Sequence, residues 1–323
     1  MHKTKQFIFL SLFLFFSGVL QAQENFSHWL SALKVEALQK GISNKIFDEA
    51  FIGVSPIPRI IELDRKQPEF TLTLDQYLSR VVPKRRVNIG RKKLAENATL
   101  LKEVADKYGV QQRFLVAFWG IETDFGRIYG GFSVIAALTT LAFDDRRSDF
   151  FRKQLLDALM ILEEGHITLQ AMKGSWAGAM GQAQFIPSTF RAYAVDGDGD
   201  GKIDIWNSKA DVFASAANYL SKIGWNDDLT WGREVKLPKN FDMSQSSLDI
   251  KKSLEEWQRL GIRRLNDRAL PKRNLKASLI VPDEKPTGRA YLIYDNYRAI
   301  LHWNRSHKFA VAVGTLSDRI VKH

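Results

Sequence analysis

Residues 118–126 read FWGIETDFG, and within that run Glu122 is a carboxylate where an apolar residue is expected. The segment from Val110 has no proline and good helix formers, which predicts a helix of about three turns. On it Leu115, Phe118, Trp119 and Glu122 fall at i, i+3, i+4 and i+7 and share one stripe. Val116, Ala117, Gly120 and Ile121 make the other side apolar too, so the helix should be buried nearly all round. Burial of an unpaired carboxylate is costly and raises its pKa, which suits a general acid. The competing reading is a structural carboxylate, paired with Arg127 or placed at a frayed helix end beside Gly126.

A second group of acids lies at DGDGDGKID, residues 196–204. Asp196, Asp198, Asp200 and Asp204 stand at positions 1, 3, 5 and 9 of an EF-hand-type loop, with Lys202 at position 7, Gly201 at the sharp turn and Ile203 at position 8. Four like charges in so short a loop call for a hard divalent cation between them. Position 12 is Asn207 rather than Glu, so the expected ion is a weakly held structural Ca2+, with Na+ as the alternative. Between the two features, GSWAGAMGQAQFIPSTF (174–190) has the glycines that let backbone approach a ligand, without a Walker or dinucleotide pattern; no organic cofactor is expected.

These groups need a frame. Helical patterns run from Glu24 to about Leu101, with a turn at Ser55-Pro56-Ile57-Pro58, and the longest lie between Leu101 and Trp225, where Gly165 and Gly224 are natural stops. After Trp231 the segments EVKLP, ASLIVPD and GRAYLIYD read as strands, and Phe309 to Ile320 as a terminal helix. Residues 1–22, with Lys3, Lys5 and an apolar run from Phe7 to Phe16, have the layout of a signal peptide whose failure to be cleaved would leave an N-terminal anchor. The expected division is 1–22 signal peptide, 23–100 N-terminal helical domain, 101–232 core with the metal loop at 196–207, 233–295 small β-rich domain and 296–323 C-terminal segment. The chain has 323 residues, no cysteine and a net charge of +11. The missing cysteines exclude a disulfide scaffold, thiol catalysis and a lipidated N-terminal cysteine. A basic exported protein could meet nucleic acid, anionic lipid or an anionic polymer; export argues against nucleic acid, and an anionic cell-wall polymer is a reasonable partner class. The clusters Lys84-Arg85-Arg86 and Arg91-Lys92-Lys93 read as solvated helix faces.

Ile121-Glu122-Thr123 with Gly126-Arg127, Gly174 to Pro187, Tyr193-Ala194-Val195-Asp196 with its loop, and Ala217-Asn218-Tyr219-Leu220 with Gly224-Trp225 together resemble the lytic murein transglycosylase B family, glycoside hydrolase family 103. The resemblance runs in order through about residues 70 to 323. It implies a mainly α fold: a lysozyme-like helical core with an EF-hand-type loop, a helical domain and a small β-rich domain. Glu122 corresponds to the single catalytic glutamate, Ser175 and Gln184 to sugar-subsite residues, and Tyr77, Arg146, Arg147 and Asn304 to substrate-side positions. Phe150, Trp303 and Phe309 stand where the family usually has tyrosine, which keeps a stacking face and loses a hydroxyl.

Most glycosidases place two carboxylates across the scissile bond. Asp124, at i+2, points roughly 200° around the helix from Glu122 and is a poor partner. The resemblance therefore implies a one-carboxylate, substrate-assisted cleavage of peptidoglycan between N-acetylmuramic acid and N-acetylglucosamine, closing a 1,6-anhydromuramoyl end, with Ser175 orienting the acetamido group and Gln184 the carboxyl. The expected partner is the glycan strand, with cell-wall machinery possible, and the expected state is a periplasmic monomer. Rival readings are a hydrolytic muramidase, a non-catalytic murein-binding or scaffold protein, and an extracellular calcium-binding adhesion module. The last leaves the Glu122 stripe unexplained.

Overall fold

The computed structural model describes residues 25–66, 72–285 and 288–321, so the signal-peptide reading of residues 1–22 lies outside the described residues. The chain forms two compact units, each assembled from separated stretches of sequence.

The first unit takes residues up to 65, 130–179 and 185–191. Its first helices are α1 (25–39), α2 (Asn44–Phe51) and α3 (Pro58–Arg65), and α3 begins on the proline of the anticipated turn, where the missing N–H costs nothing. A two-residue strand β1 (Phe132–Ser133) pairs antiparallel with β2 (Lys173–Gly174) and leads into α8 (Val134–Phe143). Helix α8 is apolar on nearly every side, and α9 (Ser148–Glu163) and α3 pack on it. Gly165, at φ +77°, ends α9 as expected. Most of α10 (Pro187–Tyr193) closes the unit.

The second unit takes 66–129, 180–184 and 192–323. It begins with α4 (Leu74–Val81), α5 (Lys84–Glu96), α6 (Ala98–Tyr108) and α7 (Gln112–Thr123). Helix α7 is buried from Phe114 to Gly120, as its all-round apolar pattern demands. Against it lie α6, α11 (Lys209–Lys222) and α14 (His307–Val321), the last being the anticipated terminal helix. All three predicted strands are present as β3 (Gly232–Lys236), β6 (Lys276–Ile280) and β7 (Ala290–Ile293). Two short strands that no alternation announced, β4 (Lys252–Ser253) and β5 (Arg263–Arg264), edge the sheet in the order β4-β6-β7-β3-β5, with every strand pair antiparallel. One face packs on α12 (Leu254–Arg259), whose Trp257 is fully buried and donates its indole N–H to the Ala277 carbonyl at 2.9 Å. Helix α13 (Asp295–Trp303) then carries the chain from β7 to α14. Among the described residues no helix is long and apolar enough to cross a membrane.

Candidate active site

Helix α7 ends abruptly because Asp124 and Phe125 both adopt left-handed backbone, at φ 51° and 65°. The turn leaves Glu122 in the last turn of the helix, half-buried, and folds Phe125 back over Gly120, where a Cβ would come within 2.7 Å of its ring. Among the described residues the carboxyl of Glu122 has one hydrogen-bond partner, the indole N–H of Trp303, which donates to its Oε1 at 2.8 Å. Trp303 is the last residue of α13, and its ring is fixed between Phe118 (centroids 4.5 Å apart) and Tyr219 (5.0 Å). Desolvation by these apolar walls raises the pKa of Glu122 to about 7, against the smaller opposing effect of the indole bond.

Asp124 has the opposite environment. It is buried, and Arg85 donates to it at 2.8 Å, Arg127 at 2.8 Å and Arg86 at 3.1 Å. Although burial works to raise its pKa, the three arginine hydrogen bonds outweigh that and hold it at about 2. Two expectations change here. Arg85 and Arg86 are not merely part of a solvated helix face, because a buried carboxylate two residues past Glu122 must be neutralised. Arg127 pairs with Asp124, and not with Glu122. Two neighbouring carboxyls are thus driven apart, one held neutral near pH 7 and one held ionised, the arrangement that separates an acid from a fixed charge.

A buried polar network supports the end of α7. Trp119 donates its indole N–H to Gln182 Oε1 at 2.8 Å, Gln182 donates its amide to the Trp206 carbonyl at 2.7 Å, and Thr123 donates its hydroxyl toward the Gln182 carbonyl at 3.1 Å. Gln182 was missed in the sequence; its only mark there is a polar residue between glycine and alanine. A Cβ on Gly126 would stand 2.1 Å from its side-chain oxygen, so that glycine is required for clearance as well as for its φ of +78°.

The other anticipated site residues fall in both units. In the second unit, Gln184 has left-handed backbone (φ 49°) and donates its amide to the Tyr129 and Gly181 carbonyls at 3.0 and 2.9 Å. Its N–H groups therefore brace their own loop, and the donor that touches Glu122 is Trp303, which sequence reasoning had credited only with a stacking face. Tyr77 is half-buried on α4, and exposed Asn304 follows Trp303 and accepts from the Ser306 N–H at 3.0 Å. In the first unit, Ser175 Oγ accepts from the Ala179 and Ala177 N–H groups at 3.0 and 3.3 Å, which leaves its O–H to donate. Arg146 and Arg147 both grip buried Asp64, at 2.6 and 2.8 Å, and despite the opposing effect of burial they hold its pKa low. Phe150 is exposed, and Phe309 is buried beside Phe118.

In the 196–204 loop the carboxylates of Asp196 and Asp198 converge with that of Asp211, on the first turn of α11, their ligand atoms within 4.8 Å of one another. Asp211 lies beyond the loop pattern and was not anticipated. It is almost fully buried and its pKa is raised, first by burial and then by the charges of Asp198 and Asp196. Asp204 accepts from the Trp206 and Asn207 N–H groups at 2.9 Å, and Asp200 from the Lys202 N–H at 2.8 Å. The donor set is hard oxygen, which fits calcium.

One consequence follows directly from the Trp303 bond. Because the indole N–H favours the ionised form, Trp303→Phe should raise the pKa of Glu122, and the alkaline limb of a kcat/KM profile should move to higher pH. An unmoved limb would mean that the bond has no bearing on the acid.

Comparison with known proteins bears on the same residues. The sequence profile described as "Transglycosylase SLT domain" matches residues 25–318. The chain is 32% identical over 220 residues to membrane-bound lytic murein transglycosylase B of Escherichia coli K12, an overlap covering 66% of this chain and 58% of that protein. It thus spans less than two thirds of the length of that curated relative. Among solved structures, SltB3 from Pseudomonas aeruginosa in complex with NAG-NAM-pentapeptide is 46% identical, with a TM-score of 0.89 over 92% of this chain and 80% of that one. The Escherichia coli lytic transglycosylase Slt35 in complex with calcium is 25% identical, with a TM-score of 0.75 over 93% and 92%.

Proposed function

The chain belongs to the transglycosylase SLT domain family, and on that premise we propose that it is a lytic transglycosylase that cleaves peptidoglycan glycan strands between N-acetylmuramic acid and N-acetylglucosamine. The observation that carries the reading is Glu122: a carboxyl held protonated up to about pH 7 by apolar walls, while Asp124, the next acid along the chain, is spent on three arginines. One acid whose neighbouring carboxylate Asp124 is already paired suits a substrate-assisted reaction better than a two-carboxylate hydrolysis. The protonated Glu122 donates to the glycosidic oxygen as the C1–O bond breaks, and the 2-acetamido group of the muramoyl residue stabilises the cation at C1. Glu122, now ionised, takes the proton of the C6 hydroxyl, whose oxygen closes on C1 to give the 1,6-anhydro ring. Tyr77, Ser175, Gln184, Arg146, Arg147 and Asn304 are assigned to substrate contacts. The work would be done in the periplasm, on cell-wall remodelling or turnover.

The test is the mass of the fragments released from purified sacculi. Muropeptides one water lighter than hydrolysed ones are expected. Fully hydrated ends would make the enzyme a muramidase, and no fragments at all would favour a binding role.

The same reading extends to a structural Ca2+ in the EF-hand-type loop. Asp196, Asp198 and Asp211 would hold it, and the ion would supply cohesion to the loop and no step of the reaction. Calcium at about a hundredfold excess over its Kd should stabilise the fold by about 2.7 kcal/mol. Melting curves in CaCl2 and in EDTA check this, with Asp211→Asn expected to remove the difference.

A further inference from the structure

A cavity of about 450 Å³ in the second unit opens between the sheet and α14, outside the residues assigned to the reaction. Arg233, Arg264, Arg289 and Arg319 line it, against two acids, Glu234 and Asp318. Both acids are already engaged. Arg289 donates its Nε to Glu234 at 2.7 Å, with its NH1 on Asp75 at 3.2 Å, and Asp318 accepts from Arg113 at 2.5 Å and from the Trp231 indole at 3.1 Å.

What remains is positive charge without a counter-charge among the described residues. Arg233 donates to the Tyr294 hydroxyl at 2.9 Å, and among the described residues the Arg319 guanidinium reaches only the Val82 carbonyl, at 3.4 Å. Arg264 is the most telling: its Nε is buried with no acceptor among the described residues. The hydroxyl of Tyr291, a residue 1% exposed in the same lining, is buried beside the Arg289 guanidinium. A native chain seldom leaves buried donors unsatisfied, and a charged one costs more than a neutral one. Arg264 shares one concave surface with further guanidinium forks, whose geometry matches planar or tetrahedral oxyanions.

We propose that this cavity binds an oxyanion, a phosphate or carboxylate group carried by a small ligand or a chain end, with Arg264, Arg319 and Arg233 as its cationic contacts. The anion neutralises guanidinium charges that no acidic side chain meets among the described residues. The site is independent of Glu122 and of the glycan reaction, so its fate and that of the proposed activity can be separated.

Isothermal titration of the full chain at low salt, with inorganic phosphate and with succinate as probes, tests it. Saturable one-site binding of at least one probe is expected, unchanged in Glu122→Gln and weakened about tenfold or more by Arg264→Gln. Arg319 is exposed, so Arg319→Gln offers the same test without risk to the fold and should also weaken binding. Preference for phosphate would identify a phosphoryl ligand, and preference for succinate a carboxylate. No saturable heat from either probe, or binding that both arginine substitutions leave intact, would overturn the proposal.

Discussion

Glu122→Gln is expected to lower glycan cleavage by about a thousandfold or more, since the amide keeps the shape of the side chain and the bond from Trp303 but has no proton to give. The same substitution should leave the fold intact and, at neutral and higher pH, strengthen it. Burial raises the carboxyl from an ordinary 4.5 to about 7 in the folded state. A raised acid costs stability only where the unfolded chain would ionise it. The cost is therefore absent below about pH 4, grows as pH rises, and levels off above the folded value at no more than about 3 kcal/mol. Wild type and Glu122→Gln should melt together at pH 4, and the variant should melt higher at pH 8. A protein that loses both activity and stability at pH 8 on this change would be using Glu122 as a structural ion, and the assignment as acid would fall. The pairing of a kinetic loss with a stability gain separates a functional carboxyl from a misplaced one.

Asp124→Asn should do the reverse, destabilising the fold by about 3 kcal/mol in denaturant titrations at pH 7. Asparagine tolerates the left-handed backbone at this position, so the change isolates the charge. It leaves Arg86, largely buried, together with Arg85 and Arg127, facing a neutral amide. The wild-type carboxylate sits at about 2 when folded against an ordinary 3.8, so its contribution is complete above about pH 4 and is lost as pH falls toward 2. The stability difference between wild type and variant should shrink over that window. Activity per folded molecule should change far less than in Glu122→Gln.

The elements were legible wherever one physical signal dominated. The all-round apolar α7, the proline start of α3, the glycine stop of α9 and the three longer strands could each be read from spacing and breaker residues, and so could the anomaly of Glu122. What escaped notice was set by partners far apart in sequence. No local pattern joins Arg85 and Arg86 to Asp124, 38 or 39 positions away, or Trp303 to Glu122 across 181. Asp211 belongs to the acidic cluster only because α11 begins where it does, and the EF-hand-type pattern stops short of it. Strands β4 and β5, of two residues each, are too short to alternate. Tryptophan at 303 reads as bulk for stacking, and its role as a donor emerges only once α13 aims the indole at a carboxyl.

The first unit is written in three instalments, with the whole of 66–129 interposed before α8 and α9 arrive. Helices α1 to α3 therefore have no lasting partners while the chain lengthens residue by residue, and the unit must wait until residue 191 is available. Closing the intervening span costs about 4 kcal/mol of chain entropy in addition to a constant. Assembly should accordingly be slow relative to that of a bundle built from neighbours, and a fragment cut after residue 129 should hold three helices that cannot settle.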